Sequence, residues 1–247
     1  MLRGLKSNPL LPGVLEVLFP SVCAACEQKL LQGERVVCSS CLSSIARTEH
    51  VFIKDNGIDM LFADLIKKSR KHIKYVQGAA WGYYNSKRGN ILRILIENGK
   101  YGLRPLAENF RYLGRVAAQE YIDSDLFDDV DVLVPVPLHP RRLRERGFNQ
   151  AEWLCRGMSE VLHIPIDTEH LVRFRNNAHQ AHSQFDNRLK NAEELFAVCY
   201  PEEWKNKHIL LVDDVITSGA TLMSCMQQLM PIRGCTASVF ALGWAHN

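Results

Sequence analysis

One stretch constrains this chain more than any other: residues 208–222, His-Ile-Leu-Leu-Val-Asp-Asp-Val-Ile-Thr-Ser-Gly-Ala-Thr-Leu. It opens with the apolar run Ile209 to Val212. A short, continuous run of branched residues suits a central parallel strand buried on both faces. Asp213 and Asp214 stand where that strand is expected to end, and Thr217-Ser218-Gly219-Ala220-Thr221 follow as a loop of small and hydroxylated residues. Leu222, Met223, Met226, Leu229 and Met230 then lie on one face of a helical pattern. In an open α/β sheet, a ligand binds at the carboxyl end of such a strand.

The chemistry of the loop follows from its residues. Gly219 allows a tight turn and a close approach of backbone to ligand. Free N–H groups at the start of the next helix favour an anion. Thr217, Ser218 and Thr221 add hydroxyl donors. With no Lys or Arg in the loop, a phosphate is held by backbone and hydroxyl dipoles. Two carboxylates beside a phosphate repel it unless they face something else, either sugar hydroxyls or a Mg²⁺ shared with a pyrophosphate.

Four apolar residues, Asp-Asp, two apolar residues and Thr-Ser-Gly-Ala-Thr resemble the signature of the type I phosphoribosyltransferases, position for position. The resemblance implies that Val215 and Thr217 to Thr221 hold the 5′-phosphate end of phosphoribosyl pyrophosphate (PRPP). It also implies that Asp213 and Asp214 meet the ribose 2′- and 3′-hydroxyls.

A second constellation lies near the start. Cys23-x-x-Cys26 and Cys38-x-x-Cys41 are separated by eleven residues. Each C-x-x-C presents two sulfurs from one tight turn, and two such knuckles make a closed tetrahedral Cys₄ zinc site. Two disulfides, or a redox pair, are the competing readings, and a reducing compartment disfavours disulfides. Cys155, Cys199, Cys225 and Cys235 are scattered or on apolar positions and read as core.

The 247 residues allow one large or two unequal domains, and the charge of +3 is too mild to argue nucleic-acid binding by itself. The apolar stretch from Pro9 to Pro20 is short, broken by Pro12 and Gly13 and carries Glu16, so it reads as a short amphipathic helix, not a signal peptide. No run reaches the eighteen apolar residues of a membrane span. A cytoplasmic location with reduced thiols is expected.

Between these landmarks, residues 51–72 read as a connector, ending in a basic run, Lys67 to Lys74. Tyr75, Trp81, Tyr83 and Tyr84 follow and are expected in a strand pair; stacking on nucleic-acid bases is the sharper alternative. Ile91, Leu92, Leu95 and Ile96 predict a helix stopped by Gly99, and Leu106 to Tyr121 predict a longer one. Val132 to Pro137 predicts a second buried strand, followed by Arg141, Arg142, Arg144 and Arg146, of which two are expected to be ordinary solvated charges. A helix from Ala151, strands near Leu171 to Arg175 and Leu195 to Val198, and a last strand from Thr236 complete the pattern. The polar stretch Asn176 to Leu189 between two of them has the composition of an active-site lid. Alternating strands and helices predict an α/β fold, a mostly parallel sheet flanked by helices.

Leu18-Phe19-Pro20 before the knuckles, Val134-Pro135-Val136-Pro137, Arg146-Gly147-Phe148-Asn149-Gln150-Ala151, and Arg173 and Arg175 followed by Gln180, Arg188, Asn191 and Phe196 together resemble the ComF (ComFC-like) family of competence proteins. The resemblance implies a type I phosphoribosyltransferase domain over residues 73–247 behind a small zinc-ribbon-like module within residues 1–50. It implies a pyrophosphate-side loop at Pro135, Val136 and Pro137, with Arg146 and Asn149 lining the site and Gln180 to Arg188 as a hood. Catalysis falls to Asp213, Asp214 and Arg146; the cofactors implied are structural Zn²⁺ and a Mg²⁺ arriving with PRPP, which Asp213 and Asp214 can share. The family is linked to natural transformation, acting on incoming single-stranded DNA. An enzyme that transfers a phosphoribosyl group to an acceptor is one reading. A non-catalytic module that binds DNA or a competence helicase, with the PRPP site as sensor or relic, is the other.

Overall fold

The computed structural model describes residues 21–84, 90–101, 107–174 and 195–245. Strands β1 (Tyr75–Tyr83) and β2 (Val132–Pro135) join β5 (His208–Ile216) and β6 (Thr236–Trp244) in one sheet of order β1-β6-β5-β2. Every pairing in that sheet is parallel. Strands β3 (Leu171–Arg173) and β4 (Phe196–Val198) form a separate antiparallel pair. The α/β class and the parallel sheet expected from the sequence are what the chain adopts.

The helices are α1 (Ser39–Ser43), α2 (Gly57–Ser69), α3 (Ile91–Tyr101), α4 (Ala107–Glu120), α5 (Pro140–Arg146), α6 (Gln150–Leu162) and α7 (Ala220–Leu229). They divide between the two faces of the sheet. Leu210, Val212, Phe240 and Leu242 pack with residues of α3, α4 and α6. Ile209, Leu211, Val239 and Ala241 pack with α2, α7 and the β3–β4 pair. This period-two division along unbroken apolar runs is what a strand covered on both faces requires. It also decides where a ligand fits. Helix α6, which comes after β2 and the short α5, packs on one face and α7, which follows the neighbouring β5, on the other, so a crevice opens between them at the carboxyl ends of those strands.

Several expectations are corrected. The motif strand does not end before the acids: β5 runs on to Ile216, pairing Asp213 with Ala241 and Val215 with Gly243. The stretch read as a connector contains α2, which Asn56 caps through its side chain and which buries Ile58 and Phe62 against the sheet. Gly99 does not stop a helix. It lies within α3, where a Cβ would meet the Phe110 ring at 2.7 Å. The aromatics after the basic run do not form a strand pair of their own. They belong to or follow β1, whose outer edge is met by residues 46–48: Tyr83 N–H donates to the Ala46 carbonyl (3.0 Å) and Thr48 N–H to the Trp81 carbonyl (3.2 Å).

Helices α4 and α6 pack more closely than side chains normally allow. A Cβ on Gly157 would fall on the backbone of Arg111 and Arg115. Gly157→Ala is therefore expected to destabilise the fold by about 2 kcal/mol, read as a lowered melting temperature, because backbone cannot yield as a flexible side chain can. The amphipathic helix expected near Leu10 to Leu18 and the lid expected over residues 176–189 lie outside the described residues.

Candidate functional site: a sugar-phosphate crevice and a four-cysteine centre

Strand β5 carries the two acids to opposite faces. Asp214 lies on the α3 side, where the Lys100 ammonium meets its Oδ2 at 2.6 Å. Both side chains are buried, 15% and 8% exposed. Asp213 turns the other way, towards Arg173 and α7, and its Oδ1 accepts from the Asp214 N–H at 2.8 Å. Burial, and then the neighbouring Asp214 charge, push the Asp213 carboxyl up to about 7.

After Ile216 the chain turns through Thr217 and Ser218 to Gly219, which adopts φ +73° as it enters α7. A side chain at such a φ is strained, and here a Cβ would also meet Leu65 of α2 at 2.9 Å. The unpaired N–H groups of the first turn of α7 thus open onto the loop. A small cleft there, about 20 Å³, is lined by Asp213, Val215, Ile216, Thr217, Gly219, Ala220, Thr221 and Leu222.

A larger cavity of about 130 Å³ adjoins it, and Asp213 and Thr221 line both. Its wall is supplied by distant parts of the chain. Val136, Pro137 and Leu138 come from the loop after β2; Arg142 and Arg146 from α5; Lys100 and Tyr101 from the end of α3; Arg173 from β3. Asn149 stands behind that loop, donating to the Val136 carbonyl at 3.1 Å while its own Oδ1 caps α6. Arg146 donates to Gln150 and to the Tyr101 hydroxyl at 3.0 Å, so its guanidinium is held over the cavity.

The structure thus gathers Asp213, Asp214, Val215, Thr217, Gly219, Ala220, Thr221, Val136, Pro137 and Arg146 around one crevice, with Asn149 in support. Pro135 is buried as the last residue of β2, and Ser218 is exposed beside the loop; neither lines the two cavities. Gln180 and Arg188 lie outside the described residues. Of the arginine run, Arg142 and Arg146 face the cavity while Arg141 pairs with Glu145 in solvent, matching the division expected. Sequence reasoning missed Lys100 and Tyr101, and gave no site role to Arg173. The crevice sets four cations, Lys100, Arg142, Arg146 and Arg173, against two carboxylates, a balance that suits a ligand with several negative charges.

The second constellation is also assembled. The sulfurs of Cys23, Cys26, Cys38 and Cys41 all lie within 4.8 Å of one another. A tetrahedron with metal–sulfur bonds of about 2.3 Å has edges of about 3.8 Å, and Cys26 Sγ stands 3.8 Å from Cys38 Sγ. Backbone amides point at the sulfurs, Cys38 N–H at Cys23 Sγ (3.3 Å) and Cys41 N–H at Cys38 Sγ (3.4 Å). Burial opposes a thiolate at Cys23, but the amides of Cys38, Cys26 and Ala25 outweigh it and lower that thiol to about 6. The donor set therefore fits a closed divalent-metal site. The other four cysteines are unpaired, three of them buried in the core as expected.

Of the four aromatics after the basic run, Tyr83 is partly exposed beside Trp244, and the other three are engaged by neighbours. Trp81 is fully buried and donates to Glu120 at 2.7 Å, Tyr75 lies against Phe62 with its hydroxyl on Asp59, and the Tyr84 hydroxyl is held by Glu97. Among the described residues no helix is long and apolar enough to cross a membrane.

No protein-family model matches the chain. The DNA utilization protein YhgH of Escherichia coli O157:H7 is 28% identical over 231 residues, which are 90% of this chain and 96% of that protein. Competence protein ComFC of Bacillus subtilis (strain 168) is 35% identical over 112 residues, 44% of this chain and 41% of that one. This chain is a homologue of those proteins. The ComF resemblance read from the motifs is thereby borne out. Among solved structures, the glutamine phosphoribosylpyrophosphate amidotransferase from B. subtilis aligns with 58% of this chain and 30% of its own, at 18% identity and a TM-score of 0.39. The chain thus spans under a third of that structure's length.

Proposed function

We propose that the crevice binds PRPP with Mg²⁺ and that the protein uses it in handling DNA, the setting its relatives' names give. One observation carries this reading. A hydroxyl loop at a helix N-terminus, two carboxylates and four cations converge on one crevice, the set of groups that a phosphate, a ribose and a pyrophosphate call for.

Thr217 to Thr221 hold the 5′-phosphate by N–H and hydroxyl donors. Asp213 and Asp214 accept from the ribose hydroxyls. Arg142, Arg146 and Arg173 receive the pyrophosphate side, with Asn149 keeping the Val136 loop in place. The bound Mg²⁺ offsets charge on the pyrophosphate. Such a site is built for glycosyl transfer at ribose C1, where the fixed cations stabilise charge gathering on the departing pyrophosphate. At the cysteine centre we propose structural zinc, which suits four thiolates that leave no coordination position open. A cytoplasmic location belongs to the same reading.

Calorimetric titration tests it. PRPP with Mg²⁺ is expected to bind in the micromolar range, and ribose 5-phosphate at least about tenfold more weakly, since it offers the cations no pyrophosphate. Equal affinity for the two would remove the cations from the site, and an absence of heat with either would end the PRPP reading.

A further inference from the structure

We infer that Lys100 is a positioning residue for the sugar end of the crevice: it fixes Oδ2 of Asp214 and leaves the other oxygen to the ribose hydroxyls. The inference rests on the PRPP reading above and adds to it a residue from outside every motif of the sequence. Its first support is the pair itself. Lys100 and Asp214 meet at 2.6 Å with little solvent around either. Other pairs, such as Lys68 with Asp64 and Arg141 with Glu145, lie on helix surfaces and are more than half exposed. Exposed pairs of that kind contribute little, whereas a buried carboxylate stripped of its partner is costly.

The second support is the way α3 is held. Leu92, Leu95 and Ile96 are buried under it, Gly99 lies against Phe110, and Glu97 accepts from the Tyr84 hydroxyl at 2.6 Å. At its far side Asn98 donates to the Ala24 carbonyl, between Cys23 and Cys26, at 2.9 Å. The ammonium is thus delivered by a helix fixed through contacts of its own, independent of the phosphate loop. Lys100 also lies close enough to offset charge on Asp213, which Arg173 approaches from its other side, so the acidic pair is met by two cations. A ligand carrying a phosphate at one end and a pyrophosphate at the other can then approach an acidic pair whose charge is already offset.

Because Lys100 acts through Asp214, its effect is read on sugar binding and not on pyrophosphate alone. Lys100→Met, Lys100→Arg, Asp214→Asn and the Lys100→Met/Asp214→Asn double variant are each checked for a cooperative thermal melt and titrated with PRPP–Mg²⁺ and with ribose 5-phosphate. Lys100→Met is expected to weaken both ligands by a similar factor of about ten or more. Lys100→Arg is expected to restore most of that loss, and Lys100→Met is expected to add nothing in the Asp214→Asn background. A loss confined to PRPP would make Lys100 a pyrophosphate contact and overturn the inference. So would Lys100→Met binding as wild type does, with the PRPP reading left standing. Wild-type protein that binds neither ligand would remove the PRPP reading and the inference together.

Discussion

Asp213→Asn combined with Asp214→Asn is expected to abolish PRPP binding while the fold survives. Each carboxylate offers a charged acceptor to a hydroxyl, and such bonds contribute about 1.5–3 kcal/mol apiece. Losing two lowers affinity by a factor on the order of 10² to 10⁴. The single variants separate the two acids. Asp214→Asn strands the Lys100 ammonium and is expected to lower the melting temperature. Asp213→Asn removes a carboxyl whose pKa is raised in the folded protein to about 7. The sign follows from linkage. The folded chain holds that proton more tightly than the unfolded one, so the group's contribution to stability falls as pH rises from about 4 towards 7. Without Mg²⁺, Asp213→Asn is therefore expected to melt higher than wild type at pH 7, by about 2 kcal/mol in stability, and to match it near pH 4. Thermal melts at the two pH values, beside calorimetric titration, decide it. Retained PRPP affinity in the double variant would take the ribose away from these acids.

Cys38→Ser is expected to release the metal and unfold the module around it. Cys38 is one of the four clustered sulfurs, caps α1 through that sulfur, and sends its amide to Cys23. A structural zinc in a small module supplies binding energy that is also folding energy, on the order of 10 kcal/mol. Elemental analysis should give about one zinc per wild-type chain and none in the variant, with a melting temperature lower by on the order of 10 °C. A wild-type chain that holds no metal after purification under reducing conditions would leave the cysteines as core residues only.

The motif strand, its hydroxyl loop and the paired knuckles were legible because each is local: a continuous apolar run, a run of small residues, a fixed C-x-x-C spacing. What stayed hidden depends on distant packing. Lys100 stands far along the chain from Asp214, and in sequence it is an ordinary basic residue in the last turn of a helix, where a cation suits the dipole. Arg173 reaches the cavity only because β3 pairs with β4, which packs against α7. The acids were placed after the strand because charge usually ends a buried run; β6 extends far enough to keep pairing beyond them. Helix α2 is a different failure. Asn56 followed by Ile58, Leu61, Phe62, Leu65 and Ile66 is a capped amphipathic pattern, masked by the basic run that begins in its last turn.

Both borders of the parallel sheet are dressed by short segments. Residues 46–48 lie along β1, and Pro165 and Asp167 exchange backbone hydrogen bonds with Leu133 of β2. The first of these covers is the tail of the cysteine module. Disrupting the fold around those cysteines is therefore expected to loosen this cover and bare the outer edge of β1 near Trp81 to Tyr83, an open strand border of the kind that pairs with another chain.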